Sequence, residues 1–373
     1  MKDLDIYVIH EYGIPAHYKG LAHLKEEANQ VLYYYNFRFF KDFIKAILYR
    51  DYAGLCLSLR SCYFFISCFI RPSKVRNKIV VLGCAPLDWR FIFLLRVLRE
   101  SKNIYHTSWH CWDGAFYPKT HRFKLLNKIL SKRWKVGLEN KFNAIAAVTD
   151  VARQSLLDNY SLDKVPIETV YHAYEDELFY NQTTIKSSND SLKILFVGRF
   201  VKCKGVELII QIAARLPGIQ FTLIGDGPLK GELIKDSNKN ILIQDFTSSR
   251  TDLSKLMRSQ DILIQPSLRT QDWEELFGMA IIEGMASGLV PITTSHAGPK
   301  SILSNTFLEG NLLHEDFLEE KLVSDFVKAI SKYNSNFQLL VDHKKYASEI
   351  AMRYTCKSIS KRWESILASI EEL

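Results

Sequence analysis

Residues 193–228 read KILFVGRFVKCKGVELIIQIAARLPGIQFTLIGDGP. An apolar run of strand length (193–198) passes through a basic turn into a segment, Val206 to Leu216, whose apolar residues recur at helical spacing. A second apolar run (219–225) follows and ends in Gly-Asp-Gly-Pro. Strand, helix and strand in that order imply a parallel pair joined by a helical crossover. The alternation continues with NILIQ (240–244), DILIQP (261–266) and LVPITT (289–294). Helices are expected after Pro228, over Leu253–Met257 and over Met279–Ser287.

The first half has the same pattern, with strand-like runs at 4–10, 30–36, 78–83, 103–108, 143–149 and 167–172 separated by helix-like stretches. The expected class is α/β, with two doubly wound Rossmann-like domains facing an interdomain cleft, because ligands of such sheets gather at the carboxyl ends of the strands. NQTTIKSSNDS after Tyr180 is polar and free of aromatics, a linker composition. It divides the chain into domains 1–180 and 181–355, with a last helix, 356–373, expected to return towards the first domain. A length of 373 residues suits two such domains, and 47% hydrophobic with 24% charged residues excludes disordered and fibrous classes.

The seven cysteines form no Cys-x-x-Cys pair and no cluster with histidine, so neither a zinc site nor a disulfide scaffold is expected and a reducing cytoplasm fits. The start, MKDLDIYVIHEYG, has a short strand-like run flanked by acids, so no export signal is expected. The net charge of +8 lies wholly in residues 1–180, with 26 Lys and Arg against 18 Asp and Glu; the remainder holds 23 of each. PKTHRFKLLNKILSKRWKV (118–136) carries seven cations and no acid, with Phe123, Leu126, Ile129, Leu130 and Trp134 near helical spacing. That composition suits either a helix lying on an anionic membrane or a solvated helix whose apolar stripe faces its own domain. No nucleic-acid motif accompanies it. YAGLCLSLRSCYFFISCFI (52–70) is long enough to span a membrane, but Arg60 would stand near its middle at a cost of about 2.5–3.5 kcal/mol. A buried or interface-lying helix is expected instead.

Three short pieces of the second half can carry chemistry. Phe196-Val-Gly-Arg-Phe-Val-Lys-Cys-Lys-Gly205 puts Arg199 and Lys204 just past a strand and Gly205 at a helix start, which suits a diphosphate and equally a basic surface loop. Gly225-Asp-Gly-Pro228 can let a ligand approach the backbone or serve only as a turn. In Glu275-Leu-Phe-Gly-Met-Ala-Ile-Ile-Glu283, one carboxylate precedes a helix beginning near Gly278 and the other lies inside it. Each can accept two hydroxyl hydrogen bonds from a sugar or ribose, or each can simply be solvated.

In order and spacing these pieces resemble the donor-binding domain of the family-four glycosyltransferases, which have the GT-B fold and a Glu-x7-Glu motif. The resemblance covers residues 193–304, and more loosely 143–160 and Trp363. It implies a retaining, metal-independent transfer of a sugar from a nucleotide-sugar donor held by the second domain to a saccharide or lipid-linked saccharide on the first, in cell-surface polysaccharide or glycolipid assembly. No cofactor beyond the donor is implied. Arg199 and Lys204 would hold the diphosphate and Glu283 the ribose, while Glu275 would take the transferred sugar. Gly198, Gly225, Asp226, Gly227 and the backbone of Phe277, Gly278, Met279 and Ala280 would complete the donor site. His110, in Ser-Trp-His-Cys-Trp-Asp, resembles the family's histidine near the donor sugar. The family's N-terminal glycine pair is replaced by His17-Tyr18-Lys19-Gly20, which would face the acceptor. Ser301 stands where the family has an acid, and Asp245 where it has a glycine near the base. A sugar-nucleotide 2-epimerase of the same fold and a non-catalytic saccharide-binding protein are the alternatives. The expected location is cytoplasmic, peripheral on the inner face of an anionic membrane. The spacing also implies that Glu283→Ala and Glu275→Ala each weaken donor use strongly, whereas Glu274→Ala, one residue off the motif's register, does little to it.

Overall fold

The computed structural model describes residues 5–11, 16–28, 30–114, 124–182, 191–270, 273–315 and 318–371. The chain forms two units, one of residues 1–173 and 356–373 and the other of residues 174–355.

The first unit contains β1 (Ile6–His10), α1 (Lys19–Glu27), β2 (Leu32–Asn36), α2 (Phe39–Leu48), α3 (Tyr52–Ile70), β3 (Ile79–Gly83), α4 (Arg90–Val97), β4 (Lys102–Thr107), α5 (Lys124–Asn140), β5 (Ala144–Ala147), α6 (Asp150–Asn159) and β6 (Ile167–Thr169). The strands form one sheet in the order β2-β1-β3-β4-β5-β6, every pair parallel. All five residues of β3 and all four of β5 are buried, as strands covered on both faces must be. The C-terminal helix, Cys356–Glu371, belongs to this unit: Ile359, Trp363, Ile366, Leu367 and Ile370 share one core with Ile6, Val8, Tyr18 and Val81.

The second unit contains β7 (Lys193–Val197), α7 (Val206–Arg215), β8 (Gln220–Gly225), α8 (Lys230–Asp236), β9 (Ile241–Asp245), α9 (Arg250–Arg258), β10 (Ile262–Gln265), α10 (Met279–Ala286), β11 (Val290–Thr294), α11 (Ala297–Leu303), β12 (Leu312–Leu313), α12 (Glu319–Ser335) and α13 (Phe337–Ala351). Its all-parallel sheet runs β12-β11-β10-β7-β8-β9, so the order reverses between β7 and β10, which makes their carboxyl ends the expected ligand crevice.

Several expectations need correction. The boundary falls at residue 173 rather than 180. Tyr174 is tied to the second unit by a bridge to Thr355 and by donating its N–H to the Tyr354 carbonyl, and Phe179 is buried there beneath Arg250. The two-residue strand β12 is too short to have left a pattern in the sequence. The basic segment 118–136 begins outside the described residues and continues as α5 to Asn140. Its apolar stripe divides: Leu130 and Trp134 are buried, Trp134 stacking on Phe91 at 3.7 Å, whereas Leu126 and Ile129 are exposed. Phe123 lies outside the described residues.

Candidate functional site

In the second unit three strand ends come together. After β7 the chain turns through Gly198 and the exposed Arg199 to Gly205, whose φ of +64° opens α7. A Cβ at Gly205 would lie 1.8 Å from the Pro266 carbonyl oxygen at the end of β10, so the turn is pressed onto the neighbouring strand end and only glycine fits. Cys203, which accepts from the Leu268 N–H at 2.9 Å, keeps its thiol pKa above the usual range mainly through burial. The turn after β8 packs on the turn after β7. A Cβ on Gly225 would meet the Gly198 carbonyl oxygen at 1.9 Å, and Phe200 donates its N–H to the Asp226 carbonyl at 2.9 Å. These glycines thus allow two chain segments to touch, a role that the sequence alone could not separate from ligand approach.

Between these turns and the end of β9 lies a cavity of about 540 Å³ lined by Val197, Gly198, Arg199, Asp226, Asp245 and Phe246. Phe246 is 62% exposed, and Asp245 pairs with Lys230 at the start of α8.

The third strand end leads into α10. Gly278, at φ +99°, opens the helix, and Phe277 before it is buried with its ring 6.0 Å from Tyr354. The first-turn N–H groups, Met279 and Ala280 among them, are the kind a helix leaves unbonded within itself. Glu275 pairs with Lys204, whose ammonium also sits 4.9 Å above the Trp273 ring. The Glu275 N–H donates to His296 Nδ1 at 3.2 Å, and His296 Nε2 lies 3.0 Å from the Ser267 carbonyl oxygen. The proton of this imidazole therefore sits on Nε2, and burial lowers its pKa.

Glu283, 4% exposed, pairs with Arg250 at the start of α9. Arg250 also reaches Glu175 at 3.2 Å and lies 4.7 Å over the Phe179 ring. Burial opposes the Arg250 charge, but the two carboxylates outweigh it and hold its pKa above the usual value.

Glu274, one residue before the motif, has a structural place. It is 8% exposed, accepts the buried Ala297 N–H at 2.7 Å and pairs with Arg269 at 3.1 Å. It fastens the loop before α10 to the start of α11. Ser301, at the expected acid position, donates to the Ala297 carbonyl within α11 at 3.0 Å.

In the first unit, His17 stacks on His172 at 4.3 Å, and His106, on β4, lies 4.7 Å from the Tyr18 ring and 5.9 Å from His172. The spacing of these residues in sequence gave no sign that they cluster. Burial depresses the pKa of His17, His106 and His172, and neighbouring imidazoles add to it at His106 and His172. Of the expected acceptor residues, Tyr18 and Gly20 serve the core instead. Tyr18 is 1% exposed, and a Cβ on Gly20 would meet Ile359 Cγ2 at 2.6 Å, so Gly20 lets the C-terminal helix close on α1. Lys19 is half-buried on the same helix. His110 is half-buried with its ring 5.7 Å from that of Trp109.

The family description Glycosyl transferases group 1 matches residues 181–349, which span these three strand ends. Among curated relatives, this chain is similar to the phosphatidylinositol N-acetylglucosaminyltransferase gpi3 subunit of Schizosaccharomyces pombe. The two are 24% identical over 75% of this chain and 64% of that one. It is also similar to the lipopolysaccharide glucosyltransferase WaaG of Escherichia coli, with 27% identity over 42% of this chain and 41% of that one. The chain thus spans less than two thirds of the length of the first curated relatives it matches. Among solved structures, Anabaena HepE in complex with UDP and glucose superposes with a TM-score of 0.66 at 13% identity, over 98% of this chain and all of that one. A glycosyltransferase from Rickettsia africae gives 0.66 at 16% identity over the whole of both chains. The fold of this chain is therefore GT-B, two doubly wound α/β units in one chain.

Proposed function

We propose that the protein transfers a sugar from a nucleotide sugar to a hydroxyl of a saccharide or lipid-linked saccharide, with retention of configuration, in cell-surface polysaccharide or glycolipid assembly. The observation that carries this reading is the ion pair of Lys204 and Glu275 beside the opening turns of α7 and α10, with Arg199 in the same turn after β7, in the segment that the group 1 glycosyl transferase description matches. Cations and helix N-termini attract a diphosphate, and they stabilise the charge that builds on it as the glycosidic bond breaks. Arg199 and Lys204 meet that charge, so a divalent cation is not required. Glu275 accepts hydroxyls of the transferred sugar and Glu283 those of the ribose. The Arg199 cavity with the exposed Phe246 ring receives the base. The acceptor hydroxyl enters on the face the diphosphate leaves, and the leaving phosphate takes its proton. We place the protein on the cytoplasmic face of an anionic membrane, where lipid-linked acceptors lie. Incubation with nucleotide sugars and a short lipid-linked acceptor, followed by NMR of the new linkage, tests the reading. A product with the donor's anomeric configuration supports it. Isomerised donor without any acceptor would establish the epimerase, and nucleotide binding without turnover the non-catalytic alternative.

A further inference from the structure

Fourteen of the thirty large apolar side chains exposed among the described residues lie between Phe40 and Phe93, on α2, α3, α4 and their connections. On α2, Phe40, Ile44 and Ile47 follow one another at i, i+4 and i+7. On α3, Leu59, Tyr63, Ile66 and Ile70 follow at i, i+4, i+7 and i+11. Each set is therefore one helix face, and each member is more than half exposed.

The opposite face of α3 packs on its own unit and includes Ser58 and Ser61, at 2% and 0% exposure. Ser61 Oγ accepts the Asn36 N–H at 2.9 Å, and Arg60 donates to the Tyr34 carbonyl at 2.9 Å, which pins the helix along the edge strand β2. With Phe64, Phe65 and Cys68 these serines make the buried face, so the outward row of tyrosine, leucine and isoleucines is a second apolar face, where a surface helix in water ordinarily carries polar residues.

Cations flank this face. Lys41, Lys45 and Arg50 lie on and after α2, and Arg71, Lys74 and Arg76 follow α3, all exposed. Lys74 Nζ sits 4.8 Å over the Tyr63 ring and the Arg96 guanidinium 5.8 Å over Phe69, so charged heads lie beside apolar stems. From Phe39 to Arg76 there are seven cations and two acids. Asp51 caps α3 through the Gly54 N–H, and Asp42 is held by Asn36.

We propose that the α2–α3 hairpin is the membrane-docking surface of this protein, lying flat on an anionic lipid monolayer with its outer face among the acyl chains and its cations among the headgroups. This deepens the membrane location in the proposed function and replaces α5, the more basic helix, as the main contact. A helix of nineteen residues, about 28 Å long, has the length to cross a bilayer, but α3 is held to β2 along its inner face and lies in the plane instead.

The test uses the full chain without donor or acceptor, so its outcome is independent of transfer. In co-sedimentation with vesicles of equal phosphatidylcholine and phosphatidylglycerol, the wild-type protein binds at low salt, while vesicles of phosphatidylcholine alone take up at least tenfold less. The double variant Tyr63→Ser, Ile66→Ser, with unchanged circular dichroism and melting temperature, loses at least tenfold in vesicle affinity. The variant Lys41→Gln, Lys45→Gln, Lys74→Gln loses a similar factor and keeps its monomer size. Four substitutions to Gln on α5, at Lys124, Lys128, Lys132 and Lys135, change binding less than threefold. Three results overturn the proposal: no vesicle binding by wild type, binding unchanged in the Tyr63→Ser, Ile66→Ser variant, or light scattering that shows a dimer which those two substitutions dissociate, because the face would then join two copies.

Discussion

Lys204 and Glu275, 71 residues apart in sequence, form an ion pair in which neither side chain is more than about a fifth exposed. The cation assigned to the diphosphate is thus already held by the carboxylate assigned to the sugar. On the proposed assignment, donor binding divides the ammonium between phosphate and carboxylate, which would couple the two ends of the transferred bond.

Opposite effects on binding and turnover follow from this pair. Lys204→Ala removes a phosphate cation and leaves an anion beside the site. It should weaken nucleoside diphosphate binding by roughly tenfold, and turnover by roughly 10²- to 10³-fold, the scale of one lost transition-state donor. Glu275→Ala should lose turnover comparably yet bind the nucleoside diphosphate as tightly as wild type or more so, because Lys204 is released. Calorimetric titration with nucleoside diphosphates checks the split, and weaker binding in Glu275→Ala would show that Lys204 needs its partner for position.

Adjacent glutamates should separate in the opposite sense in stability. Glu274→Ala leaves the buried Ala297 N–H without its acceptor, a loss of about 1–3 kcal/mol. Arg269 is half-exposed, so its side of the pair adds little. Glu275→Ala should melt within a degree or two of wild type. Thermal unfolding of the two variants under one condition decides this, and equal melting temperatures would show that the loop before α10 is held by other contacts.

Acid should weaken the first unit. His17, His106 and His172 have folded pKa values below the usual 6.5, so between the two values the unfolded chain binds more protons. Stability is therefore full above about pH 6.5 and falls as the pH drops through and below that value. The melting temperature should be level from pH 8 to 7 and decline towards pH 5. His106→Phe, which keeps a ring between Tyr18 and Trp363, should flatten that decline, and an unchanged slope would assign it to other groups.

Turnover should persist in excess chelator if Arg199 and Lys204 meet the charge of the leaving diphosphate unaided. Abolition by chelator with rescue by manganese would instead assign that task to a metal ion.

The twofold strand-helix alternation was legible because central parallel strands, buried on both faces, leave continuous apolar runs such as KILFV and IVVLG. The Glu-x7-Glu register was legible because both residues lie on or beside one short helix. Arg250, Glu175 and His296 left no such trace. They reach their partners across 33, 75 and 21 residues, through side chains whose neighbours are set by the packing of separate elements. The apolar length of 52–70 marked a helix without telling which face it buries, since apolar side chains lie on both, with Phe64, Phe65 and Cys68 inside and Leu59, Ile66 and Ile70 outside. Gly20 was misread for a related reason: a glycine before a ligand and a glycine beneath a helix are the same letter.

The return of the C-terminal helix to the first unit has a consequence for synthesis. Trp363, Ile366 and Ile370 are core residues of a sheet whose first strand is made more than 350 residues earlier. On the ribosome, the first sheet has to wait with an unfilled core while the whole of residues 174–355, an uninterrupted stretch, emerges and can fold. The half of the protein made first is thus completed last, and a stop codon after residue 355 would leave the second unit whole while leaving Tyr18, Val81 and Ala146 without the helix that covers them.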